Sequence, residues 1–106
     1  MDSQPVAICG RSGRMAILAF VAYKYRFPLE RIMQTTDRHR AYLRELHGQG
    51  KLVASGPFVP REGGGLLLRA EDEAELKSLL AADPFQQEAL VDTTIYQWAP
   101  NIGSVG

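Results

Sequence analysis

Hydrophobic residues along the chain switch between a strand-like and a helix-like period, and the switches mark out the elements. Ile17 to Tyr25 is rich in β-branched and aromatic residues. It has two apolar sides, Ile17, Ala19, Val21 and Tyr23 against Leu18, Phe20 and Ala22, which predicts a strand. Leu29, Ile32, Met33, Leu43 and Leu46 then recur at helical spacing. Pro28 stands where a helix accepts its first residue, Glu30 suits the positive end of the helix dipole, and Gly48 and Gly50 end the run. Leu52 to Ser55 reads as a second strand and Gly65 to Ala70 as a third. They form a hairpin whose Gly/Pro-rich loop runs from Gly56 to Gly64, with Gly63-Gly64-Gly65 as its turn. Asp72 with Glu75 three residues on is an Asp capping box, opening a helix that carries Leu76, Leu79 and Leu80. Pro84 biases the residue before it away from helix, so this helix should end near Asp83. Thr93 to Ala99 is the last strand, setting Ile95 and Gln97 against Tyr96 and Trp98.

The order βαββαβ predicts an α+β domain of the ferredoxin-like type, an antiparallel sheet with two helices on one face. A monomer of that topology needs a polar outer sheet face. Here the first strand is apolar on both sides and the last offers aromatics on one, so a homodimer through the sheet face is expected. With 106 residues the chain has room for one domain. Residues 1–14 show no period and read as a flexible N-terminal extension, with residues 15–106 as the folded domain.

Charge and cysteine usage narrow the function classes. Twelve basic and twelve acidic residues cancel, where a phosphate-tracking protein would carry a basic excess, so no nucleic-acid partner is expected. Cys9 is the only cysteine, which allows no internal disulfide and fits a reducing, cytoplasmic setting. Arg11 and Arg14 before the apolar run Met15 to Tyr23 imitate a signal peptide. Lys24 and Arg26 follow at once without a small-residue cleavage site, however, and the run is too short to span a bilayer. No membrane partner is expected.

His39 is the leading chemical candidate. At about 100° per residue it projects between Ile32, Leu43 and Leu46, on the sheltered side of its helix, whereas Arg31, Arg38, Arg44 and Glu45 mostly fall elsewhere. An imidazole can both take and return a proton near neutral pH. A core histidine satisfied by one hydrogen bond has the same pattern. Asp83, at the end of a helix, would face the negative pole of the dipole and call for a compensating partner such as His39; equally, Asp before Pro starts turns. Ser55, Gly56 and Pro57 either line a pocket or only shape a strand exit. Tyr23 and Tyr42 offer hydroxyls to a ligand or pack in the core. His47 lies eight residues after His39, off the spacing of paired metal ligands, so no metal site and no cofactor are expected.

The series His39-Arg-Ala-Tyr42-Leu43, Gly50, Gly56-Pro57-Phe58, Gly64-Gly65, Asp83-Pro84-Phe85 and Trp98 resembles the YciI-like (YCII-related) proteins from about Ile17 to Pro100. That resemblance implies a ferredoxin-like fold of the dimeric α+β barrel group, which also houses muconolactone isomerase-like enzymes, in small bacterial cytoplasmic proteins. It implies an active site at the histidine and aspartate matched by His39 and Asp83, and some relatives break down substituted aromatic rings. Where the family often has an arginine three residues before the histidine, this chain has Thr36, with Arg38 beside His39 as the alternative anion contact. Two readings follow. One is a small cofactor-independent enzyme, a lyase or isomerase, using His39 and Asp83 for acid–base chemistry on a small ring-containing molecule, with Ser55, Gly56, Arg38 and Tyr23 as substrate contacts. The other is a dimeric small-ligand-binding or accessory protein with no catalysis.

Overall fold

The run with two apolar sides forms β1 (Ile17–Tyr25) in the computed structural model, which describes residues 17–103. The proposed extension 1–14 lies outside the described residues. β1 is followed by α1 (Leu29–Gly48), β2 (Leu52–Pro57), β3 (Gly63–Ala70), α2 (Glu73–Ala81), a single turn α3 (Pro84–Gln87) and β4 (Val91–Gln97). The sheet order is β2-β3-β1-β4, antiparallel throughout, the ferredoxin-like arrangement.

Alternation along β1 divides the sheet into two faces. Ala19, Val21 and Tyr23 turn toward the helices and are buried with Leu66 and Leu68 of β3, their register partners or neighbours. Ile32, Leu43 and Leu46 of α1 and Leu76, Leu79 and Leu80 of α2 close the core from above. Leu29 and Met33, which keep helical spacing, are exposed; the buried positions on that part of α1 go to Thr35 and Thr36 instead. Thr36 makes burial tolerable by donating its hydroxyl to the Ile32 carbonyl at 3.0 Å.

Helix ends follow local chemistry. Gly50, at φ +78°, lets its own N–H reach His47 O and the Lys51 N–H reach Leu46 O, so α1 stops in a Schellman motif. Asp72 accepts from the Glu75 N–H at 2.8 Å, while the Glu75 carboxylate returns a bond to the Glu71 N–H, one residue earlier than a standard capping box. The hairpin turn is shorter than its composition predicts: 58–62 form the loop, and Gly63-Gly64-Gly65 belong to β3. At Gly63 a Cβ would lie 1.8 Å from the Tyr23 carbonyl oxygen, so only glycine lets β3 approach β1 there. β4 starts two residues before Thr93, because Val91 pairs with Tyr25.

Candidate active site

Asp83 is the organising residue, for a reason opposite to the one its sequence position suggests. α2 ends at Ala81, and Asp83 caps the following turn α3, accepting the Phe85 N–H at 3.0 Å. It therefore sits at a donor-rich helix start and not at a carbonyl-rich end. Its carboxylate is 1% exposed and accepts two further bonds. Oδ1 meets His39 Nδ1 at 2.7 Å and Oδ2 accepts the Tyr23 hydroxyl at 2.8 Å. Three donors on one buried carboxylate are what a buried charge requires.

His39 is fixed from two directions. Its ring stacks on Phe85, with centroids 3.8 Å apart and planes 4° from parallel. A carboxylate can only accept, so Nδ1 carries the proton of the 2.7 Å bond, and the neutral ring is held as the Nδ1–H tautomer. Nε2 has no protein partner among the described residues. The His39 side chain is 12% exposed and lines a cavity of about 460 Å³ between α1, β2, β3 and the loop before β3.

Tyr23 lines the same cavity, but its hydroxyl is spent on Asp83. Burial, and then the neighbouring Asp83 charge, push its pKa far above the ordinary tyrosine value, so it remains a hydrogen-bond donor. Tyr42 likewise donates inward, to Leu79 O at 2.6 Å, and burial followed by the Asp83 charge raises its pKa. Both tyrosines thus brace the structure through hydroxyls that the sequence left open for a ligand.

Ser55 and Gly56 line the cavity at the end of edge strand β2, and Ser55 shares the helix-facing side of the sheet with its register partner Leu66. Arg38 does not. It points outward, 62% exposed, and pairs with Glu88, which also binds Arg31 at 2.8 Å and Thr35 at 2.8 Å. Thr36 reaches the cavity wall with its hydroxyl turned back to its own helix. The arginines that do line the cavity are Arg40, Arg44 and Arg61, together with His47. Arg44 is expected away from the sheltered side, and neither Arg40 nor His47 is singled out in the sequence as a cavity residue; the signal that finds them is that 36, 40, 43, 44 and 47 make one helical stripe beside His39. Arg61 comes from a loop and carries no periodic signal. Among the described residues no three His, Cys, Asp or Glu side chains gather as a metal-binding group.

The sequence matches the YCII-related domain family over residues 15–99. No curated protein matches it. Among solved structures, 5-chloro-2-hydroxyhydroquinone dehydrochlorinase from Burkholderia phenoliruptrix, in complex with 2,5-dihydroxybenzoquinone, is similar at 25% identity and a TM-score of 0.70. The likeness covers 79% of this chain and 95% of that one. No helix among the described residues is long and apolar enough to cross a membrane.

Proposed function

The chain belongs to the YCII-related domain family, and on that premise we propose that it is a small enzyme performing acid–base chemistry on a ring-containing organic molecule. The reaction is an elimination or isomerisation that needs no cofactor. One observation carries this reading. Asp83 holds His39 by Nδ1 and, among the described residues, nothing engages Nε2 on a ring that borders a cavity. Nε2 takes a proton from a substrate C–H or O–H, and the electron pair left behind either shifts a double bond or expels a leaving group such as halide. The imidazolium then returns the proton to the rearranged product, or releases it to solvent after an elimination. Asp83 offsets the charge on the ring, and Tyr23 and the Phe85 N–H keep Asp83 in place. Ser55 and Gly56 contact the substrate from β2. The similar solved structure supports the substrate class, being a dehydrochlorinase with a small quinone bound.

The working unit in this proposal is a homodimer joined through the outer sheet face, in the cytoplasm. Leu18, Phe20 and Ala22 of β1 lie there beside Leu67 of β3, with Tyr96 and Trp98 exposed at the β4 side. The apolar middle of this face, with Lys24 and Asp92 at one end and Arg69 at the other, can pair with the same surface of a second copy, which makes that copy its simplest occupant.

The test is turnover of a panel of hydroxylated, halogenated and carboxylated ring compounds, followed as halide release and as ring rearrangement by NMR. The expected result is turnover that His39→Ala abolishes while its unfolding temperature stays measurable and cooperative. Turnover undiminished in His39→Ala would overturn the proposal, and ligand binding without any turnover would favour an accessory protein.

A further inference from the structure

Outside the pair itself, the cavity wall has a charge pattern that the proton chemistry does not use. Among the described residues its lining holds Arg40, Arg44, Arg61 and His47 and no aspartate or glutamate, in a chain whose formal charges cancel. Elsewhere on the surface Arg26 faces Asp92, and Arg31 and Arg38 share Glu88. Arg40 and Arg44 have no ion pair or hydrogen bond from their guanidinium groups among the described residues. Among the described residues Arg61 has only a long 3.4 Å bond from Nε to the Tyr25 hydroxyl, and its two terminal nitrogens have no partner there.

Helix stability does not account for the pattern. A cation offsets the negative pole of a helix only within its last turn. His47 meets that condition, but Arg40 lies about two turns before the end of α1, and Arg61 is on another element. A cleft with one sign of charge focuses its field on whatever enters.

Resting on the reading of this cavity as the substrate site, we infer that its occupant is a small organic carboxylate whose carboxylate is bound by Arg44 and Arg61, with Arg40 adding positive field beside His39. Spacing sets the orientation. Arg44 is five residues after His39, roughly 7.5 Å further along the helix axis, so the cationic end of the cavity is offset along α1 from the imidazole. The reacting part of the ring then lies at Nε2, against the Phe85 side of the cavity, and the carboxylate lies at the far arginines. Leu43, Leu52 and Leu66 supply apolar walls between the two ends. A phosphate is the poorer match, because the cavity borders the C-terminal half of α1 and meets no row of helix N-terminal amides. Guanidinium forks, by contrast, pair with carboxylates two bonds at a time.

The test uses the full chain, labelled with nitrogen-15, and two shape-matched probe pairs: benzoate against benzamide, and 4-hydroxybenzoate against 4-hydroxybenzamide. The carboxylates are expected to bind saturably, to move the side-chain N–H signals of Arg44 and Arg61, and to bind at least about tenfold more tightly than the amides. Arg44→Gln and Arg61→Gln should each weaken the carboxylates by about tenfold and leave the amides nearly unchanged, while Arg38→Gln should alter neither. Equal binding of acid and amide, no saturable binding of either carboxylate, or unchanged affinity in both arginine variants would overturn the inference. These outcomes are independent of catalysis. Binding that stays charge-selective in a protein whose turnover survives His39→Ala would leave the carboxylate site standing and remove the acid–base reading.

Discussion

Replacing Asp83 by alanine removes the acceptor of three hydrogen bonds at once, from His39 Nδ1 at 2.7 Å, the Tyr23 hydroxyl at 2.8 Å and the Phe85 N–H at 3.0 Å. The three donors fare differently afterwards. His39 retains some access to water, whereas Tyr23 and Phe85 are buried and their donors are left unsatisfied. Each such donor costs about 1–3 kcal/mol, and the lost cap of α3 is part of the Phe85 share. The expected loss is therefore about 3–5 kcal/mol, the range seen when one partner of a buried pair is deleted. For a domain of this size that lowers the unfolding temperature by roughly 15–30 °C. Asp83→Asn keeps one carbonyl oxygen for Phe85 and should lose about half as much. The assay is thermal unfolding by circular dichroism, with Tyr23→Phe and the double variant completing a cycle that isolates the Tyr23–Asp83 bond. An Asp83→Ala protein that melts within roughly 3 °C of the parent would refute the three-bond geometry.

Three other outcomes follow from separate parts of the molecule. Gly63→Ala should cost about 1–3 kcal/mol in chemical denaturation, because its Cβ meets the Tyr23 carbonyl at 1.8 Å and must part β3 from β1; an unchanged midpoint would contradict that contact. Glu88 is held at about 2, below its ordinary 4.5, first by the Arg31 hydrogen bond and then by Thr35 and Arg38. A carboxylate lowered in this way stabilises the fold above its ordinary value and ceases to as pH falls toward the lowered one. The melting-temperature gap between the parent and Glu88→Gln should thus be full above about pH 4.5 and shrink toward pH 2, and a gap independent of pH would be inconsistent with the network. Leu67→Glu places a charge on the outer sheet face. Light scattering should find the parent at about twice 11.7 kDa and the variant at that mass, and identical masses would sink the homodimer.

Much of this architecture is legible because burial follows period. β1 forms with the bounds its apolar run predicts, and α1 stops at the glycine that can adopt a positive φ. His39 lies on the sheltered side of α1 because Ile32, Leu43 and Leu46 set the phase there. Where tertiary contact overrides local pattern, the reading fails. Leu29 and Met33 keep the helical period yet stay exposed, since α1 leans its first turns on Thr35 and Thr36, one of them tied to Glu88 across the fold. Three successive glycines look like a turn, but their role is to bring two strands close together. Asp83 is found for the wrong reason: Pro84 does break α2, yet it also begins α3, which converts an awkward C-terminal carboxylate into an N-cap. Arg38 is next to His39 in sequence and turned away from it in space, because neighbours on a helix diverge by about 100°. Arg61 had no local signal, since a loop residue reaches the cavity only through the path of the hairpin.

The central claim is that Asp83 fixes His39 with the Nδ1 proton inward and Nε2 bare toward the cavity. Long-range proton–nitrogen NMR of the neutral His39 ring reads this directly, without a substrate. The account predicts a protonated Nδ1 and an unprotonated Nε2 in the parent, with that preference lost in Asp83→Ala. A parent ring carrying its proton on Nε2 would contradict it.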